Sequence, residues 1–158
     1  MELEARLRRV EAAEEIRHLK ARYCDLCDDG YPAAELCALF TDAGVWDGEE
    51  MGVFEGQEDL HRFFSNMPNV MSFAIHHVTN AAIAVAPDAE TARGRWYLLQ
   101  AATLRENNKA IWLGARYDDQ FVRVEGKWKF RRVELRSRFY TSYEKGWAGL
   151  PHLLGASP

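Results

Sequence analysis

A chain of 158 residues is the size of one domain, and with 47% apolar residues it can bury a core. Its net charge of -4 lacks the basic surplus that general nucleic-acid binding needs, and no apolar stretch nears the roughly 20 residues that span a bilayer. The opening MELEARLRRVEAAEEIRHLK is charged and helical in pattern, unlike an export signal; the cysteines Cys24, Cys27 and Cys37 leave one unpaired and fit a reducing cytoplasm.

Leu3, Leu7, Val10, Ile16, Leu19, Tyr23 and Leu26 recur in helical steps, which predicts a long first helix ended at Asp28-Asp29-Gly30. Pro32 suits the start of a second helix with Ala33, Leu36, Leu39 and Phe40 as its buried stripe. Thr41 to Gly44 reads as a turn and Val45 to Asp47 as a short strand. A third helix is expected over 57–67, with Leu60, Phe63, Phe64 and Met67 inward and Pro68-Asn69 as its stop.

From residue 72 the period becomes extended. Phe73 to Val85 is one predicted strand with room for a bulge, followed by strands over 91–104, 110–124 and 127–140. The short turns at 87–89, 106–109 and Glu125-Gly126 make these neighbours antiparallel. Strands this long must twist and curve. The expected fold is therefore α+β: a cone-like curved antiparallel or mixed sheet, with N-terminal helices packed on its concave face and an apolar pocket at one end. One domain spans 1–142. The tail 143–158 has Trp147, Leu150, Leu153 and Leu154 but no period, and could cover a cavity mouth or a neighbouring subunit.

The aromatic residues Tyr23, Trp46, Phe54, Phe73, Trp96, Trp112 and Phe130 are candidates for the core or pocket wall, with Asn80, Arg95 and Tyr117 as further wall candidates. Cys24-x-x-Cys27 lies within a helix and has no second pair, so it does not read as a metal or redox site. No glycine-rich phosphate loop or dinucleotide fingerprint is present in the sequence.

Four stretches, RYCDLCDDG, LFTDAGVWDG, HHVTN and GARYDDQFVRVEGKWKF with the following FYTSYEKGW, resemble the SnoaL-like branch of the nuclear-transport-factor-2-like superfamily. The likeness is greatest to members related to scytalone dehydratase, bile-acid dehydratase and hexachlorocyclohexane dehydrochlorinase. The resemblance implies that a strand histidine moves a proton, that an aspartate near the end of the first helix orients it, and that a helix tyrosine polarises a substrate oxygen. Carried onto this chain, these are His76, Asp28 (or Asp29) and Tyr23. From the reading of the residues themselves, Trp46, Asn80, Trp96, Trp112 and Tyr117 are the candidates for substrate contact. The family's last-strand arginine falls on Val133 or Ser137 here, with Arg132, Arg136 and Arg138 nearby.

In an unbroken strand His76 and His77 face opposite sides, and a bulge after Thr79 would swap the phase. Periodicity leaves their faces open; the resemblance selects His76. A neutral imidazole can accept a proton near neutral pH, and a carboxylate beside it would favour the imidazolium formed. That chemistry needs no metal or organic cofactor. The expected activity is a dehydratase-like lyase acting on a small hydrophobic cyclic molecule, steroid-like or polyketide-like. The same proton transfers could serve a double-bond isomerase or a polyketide cyclase, and a non-catalytic ligand-binding or accessory role would follow if His76 stood far from both aspartates. The outer face of a curved sheet needs cover, so a homodimer or homotrimer is expected, with no nucleic acid and no membrane as partner.

Overall fold

The computed structural model describes residues 2–149. Helix α1 (Leu3–Asp28) and the short α2 (Ala33–Ala38) lead into β1 (Phe40–Asp47). A 3-10 turn (Glu49–Met51), β2 (Val53–Glu55) and α3 (Gly56–Val70) follow. The long strands β3 (Met71–Val85), β4 (Thr91–Leu104), β5 (Lys109–Val124) and β6 (Lys127–Ser142) complete the sheet, and α4 (Gly146–Gly149) is a single turn after it. The strand order is β2-β1-β6-β5-β4-β3. Among the described residues only the β1–β6 pairing is parallel, so the sheet is mixed and open rather than closed into a barrel.

Why the chain divides this way is visible in its burial. On β4 the residues Ala92, Gly94, Trp96, Leu98, Gln100 and Ala102 all face inward, while their neighbours along the strand are exposed or half-buried. The matching inward row of β5 includes Ile111, Leu113, Ala115, Tyr117, Asp119 and Phe121. Ala12, Ile16, Tyr23, Leu26 and Cys27 of α1 meet this concave face, joined by Leu36, Phe40, Leu60 and Phe64. Tyr23, Phe40 and Phe130 pack edge-on or tilted within 6.4 Å of one another, which closes one end of the cone.

Three expectations are corrected. The second helix ends at Ala38, and Phe40 begins β1, because its backbone pairs with Phe130 rather than continuing the helix. The stretch Thr41 to Gly44 is not a turn; it is an irregular part of β1 between the Phe40 and Val45 pairings, held where Gln57 Nε2 donates to the carbonyls of Cys37 and Thr41. Pro68 does not stop α3 but sits in its last turn, where the backbone N–H of Met71 still caps Met67 and Arg105 Nε donates to the Pro68 carbonyl at 2.6 Å.

Among the described residues no helix is long and apolar enough to cross a membrane. The described part of the tail turns back so that Trp147 packs at a tilt against Phe139, with centroids 5.2 Å apart. The expectation for Leu150, Leu153 and Leu154 lies outside the described residues.

Candidate active site

The last residue of α1 meets the edge of the sheet. Gly30, at φ +91°, lets the chain reverse just after Asp28. Asp28 thereby points at β3, the edge strand. The backbone N–H of His76 donates to both carboxylate oxygens, at 3.1 and 3.0 Å, and His76 Nδ1 lies 2.5 Å from Oδ1. A carboxylate only accepts, so Nδ1 carries a proton, and in the neutral ring Nε2 then keeps its lone pair. The imidazole is well enclosed, its side chain 5% exposed, and it lines a cavity of about 340 Å³. Asp29 is exposed and caps the helix through its own backbone N–H.

The phase question on β3 has a structural answer. Ala74, His76 and Val78 turn inward, Asn80 takes φ +55°, and register shifts between Thr79 and Ala82. Beyond that bulge the inward positions are Ile83 and Val85. His77 is exposed on the outer face.

Tyr23 lies in the same cavity. Trp46 Nε1 donates to the Tyr23 hydroxyl at 2.9 Å. Gly48 makes room for this indole: a Cβ there would come within 2.5 Å of the Trp46 ring. Burial holds the Tyr23 phenol well above its ordinary pKa, with Cys27 and Tyr117 adding to the rise and the Trp46 hydrogen bond opposing it. Tyr117 and Tyr31, also in the cavity wall, are pushed up chiefly by burial as well. These phenols therefore stay protonated at neutral pH and can donate hydrogen bonds. Trp46, Phe63 and Phe54 form an aromatic wall, with centroid separations of 4.4 and 4.3 Å.

A sequence profile of the SnoaL-like domain matches residues 8–134. The chain belongs to the SnoaL-like domain family. Gamma-hexachlorocyclohexane dehydrochlorinase of Sphingobium indicum is 26% identical to this SnoaL-like chain over 107 residues, which is 67% of this chain and 68% of that enzyme. A solved structure of LinA, a hexachlorocyclohexane dehydrochlorinase, superposes with a TM-score of 0.81 at 24% identity, covering 98% of this chain and 99% of the other. A candidate scytalone dehydratase from Novosphingobium aromaticivorans superposes at 0.76 and 23% identity, covering 99% and 100%. The two superpositions establish the nuclear-transport-factor-2-like fold, and the named relatives are of the dehydratase and dehydrochlorinase kind.

Of the residues singled out in this SnoaL-like sequence, the fold brings Tyr23, Trp46, Phe54, Tyr117 and His76 to one cavity, with Asp28 behind the imidazole. The other candidates, Arg95 among them, do not reach it. Asn80 is exposed at the bulge, because its left-handed backbone turns it out of the inward row. Trp112 falls on the outer phase of β5, between the inward Ile111 and Leu113. Trp96 faces inward but sits deeper in the core, packed edge-on against Phe121. Phe73 is likewise an outer-face residue and Phe130 a core residue. Val133 is fully buried, while Arg132 and Arg136 both bind Asp47 and are absent from the cavity wall. Gln100, Tyr31, Met71 and Tyr140 also line the cavity, beside Phe63, Phe64 and Met67 of the expected inward stripe of α3. Gln100 carried a readable signal, being the one amide in the apolar inward row of β4.

Proposed function

We propose that this protein is a cofactor-free, dehydratase-like lyase that removes a proton beside a carbonyl group of a small cyclic substrate held in the cavity. The observation that carries the reading is the grip of Asp28 on His76. It fixes the imidazole with Nε2 free and would stabilise the imidazolium formed. Tyr23, kept protonated by burial, donates to the carbonyl oxygen as charge develops there. The C–H electron pair then forms the new double bond, the C–O bond of a neighbouring hydroxyl breaks with its pair on oxygen, and the proton carried by His76 leaves with it as water. The described cavity wall contains Glu50 but no lysine or arginine, which suits a neutral, hydrophobic ring of steroid-like or polyketide-like character. The kinship with eliminating enzymes favours loss of a group over return of the proton as in an isomerase.

The test uses 3-hydroxy-1-tetralone, whose dehydration gives fluorescent 1-naphthol. The wild-type protein should accelerate the reaction over the spontaneous rate, and His76→Ala should lower turnover by roughly 10²–10⁴-fold. Equal turnover in the two proteins would remove His76 from the mechanism.

A further inference from the structure

Gln100 is 3% exposed and lines the cavity. It is the register partner of His76 across β3 and β4. Because the His76 N–H is turned outward to Asp28, this is a non-hydrogen-bonded antiparallel pair, the kind that brings opposing side chains closest. The Cβ atoms of such directly opposed residues are about 4.5–5.5 Å apart. Gln100 is thus the cross-strand neighbour of the imidazole on the same cavity wall.

The amide is poorly matched to its protein surroundings. A glutamine offers two N–H donors and a carbonyl oxygen with two lone pairs. Among the described residues the Gln100 side chain makes one hydrogen bond, from Nε2 to Met71 Sδ at 3.7 Å, and a thioether is a weak acceptor. Its carbonyl oxygen has no partner, yet it is not among the sealed polar atoms of the interior, so it opens on the cavity. Buried polar groups are as a rule hydrogen-bonded.

We infer that Gln100 recognises a hydroxyl group on the substrate ring and makes this a site for hydroxylated rather than halogenated rings. The inference rests on the proposed reading of the cavity as a ring-binding site and names the substituent it takes. A hydroxyl can donate to the amide oxygen and accept from the amide N–H. A chlorine substituent donates nothing and accepts poorly, which leaves the amide unmatched. With Tyr23 meeting one oxygen and Gln100 another, the ligand carries two oxygens on one ring system, the second near the proton that His76 would take.

The test is binding rather than turnover, so that it is separate from the catalytic reading. Two probes of matched shape, 1,3-dihydroxynaphthalene and 3-chloro-1-naphthol, are titrated by isothermal calorimetry into wild type, Gln100→Leu and Gln100→Met. The wild type should bind the diol roughly tenfold more tightly, the worth of a buried hydrogen bond made rather than left unmade. Either apolar variant should abolish or invert that preference while still binding the chloro compound; the methionine variant, closer in length, serves if leucine impairs folding. An unchanged ratio in a folded variant overturns the assignment of Gln100 alone. Failure of the wild type to bind either probe overturns the ring-binding reading and this inference with it.

Discussion

Asp28 holds His76 at three points, two on the backbone N–H and one on the imidazole. One carboxylate thus both covers the free edge of β3 and fixes the tautomer of the ring. Asp28→Asn separates these tasks. An amide oxygen can still accept, but it brings no negative charge to an imidazolium. Turnover of 3-hydroxy-1-tetralone should fall by roughly 10²-fold or more, with binding of 1-naphthol little altered. Asp28→Ala should in addition lose about 1–3 kcal/mol of stability, seen in urea unfolding, because the edge N–H loses its partner.

The Trp46 to Tyr23 hydrogen bond places an N–H on the hydroxyl that would donate to the substrate carbonyl in the reaction. Trp46→Phe keeps an aromatic ring against Phe63 and removes only that donor. It should reduce kcat by roughly tenfold with a smaller change in KM. Tyr23→Phe should cost more. The double variant should match Tyr23→Phe, since Trp46 acts through the hydroxyl; additive losses would show that Trp46 works independently.

The long strands, the first helix and the α+β class were legible because periods of 3.6 and 2 are written in neighbouring residues. The Asp28–His76 contact joins positions 48 apart and came from family likeness, not from spacing. The face of His76 depended on the bulge at Asn80, whose positive φ no periodicity reports. The outward faces of Trp112 and Phe73 are illegible for a related reason: an aromatic residue on a strand has the same composition signal on either face. Gln100 is neither titratable nor aromatic, and its only mark in the sequence is that it is a polar residue in the apolar row of β4.

The outer face of β3 and β4 exposes Phe73, Ile75, Tyr97 and Leu99 together. A patch of this kind on the convex side of a sheet is suited to a second copy of the chain. Light scattering after gel filtration should give a dimer or trimer mass. Leu99→Lys with Phe73→Lys should shift it toward the monomer, and a monomeric wild type would contradict the expectation.

Acid should act on Asp47, which binds both Arg132 and Arg136. The Arg136 hydrogen bond, opposed by burial and aided by the Glu49 backbone N–H and the neighbouring charges, lowers its pKa from 3.8 to about 2. A depressed carboxylate stabilises the fold above its unfolded pKa and loses that contribution as pH falls through its folded value. Wild type should exceed Asp47→Asn by about 1–2 kcal/mol at neutral pH, allowing for screening of the partly exposed arginines. The gap should close between about pH 4 and pH 2. A gap constant down to pH 2 would mean that the charge on Asp47 is not what stabilises the site.

Beneath the cavity Lys20 and Asp119 form an ion pair at 2.8 Å with side chains 1% and 0% exposed. Burial raises the Asp119 pKa while Lys20 opposes it, and the Lys20 ammonium lies 3.3 Å from the centroid of Tyr117. Removing two charges from water costs much of what their attraction returns, so the intact pair adds little net stability, whereas one partner left alone is a buried unpaired charge. Lys20→Met and Asp119→Leu should each cost roughly 3–5 kcal/mol in chemical denaturation. Combined, they should cost less than either alone, because no charge remains unmatched. The double variant would still lack the cation over Tyr117, a wall residue of the cavity. Its stability should therefore recover more fully than its affinity for 1-naphthol; if both recover together, the ammonium has no part in holding that wall in place.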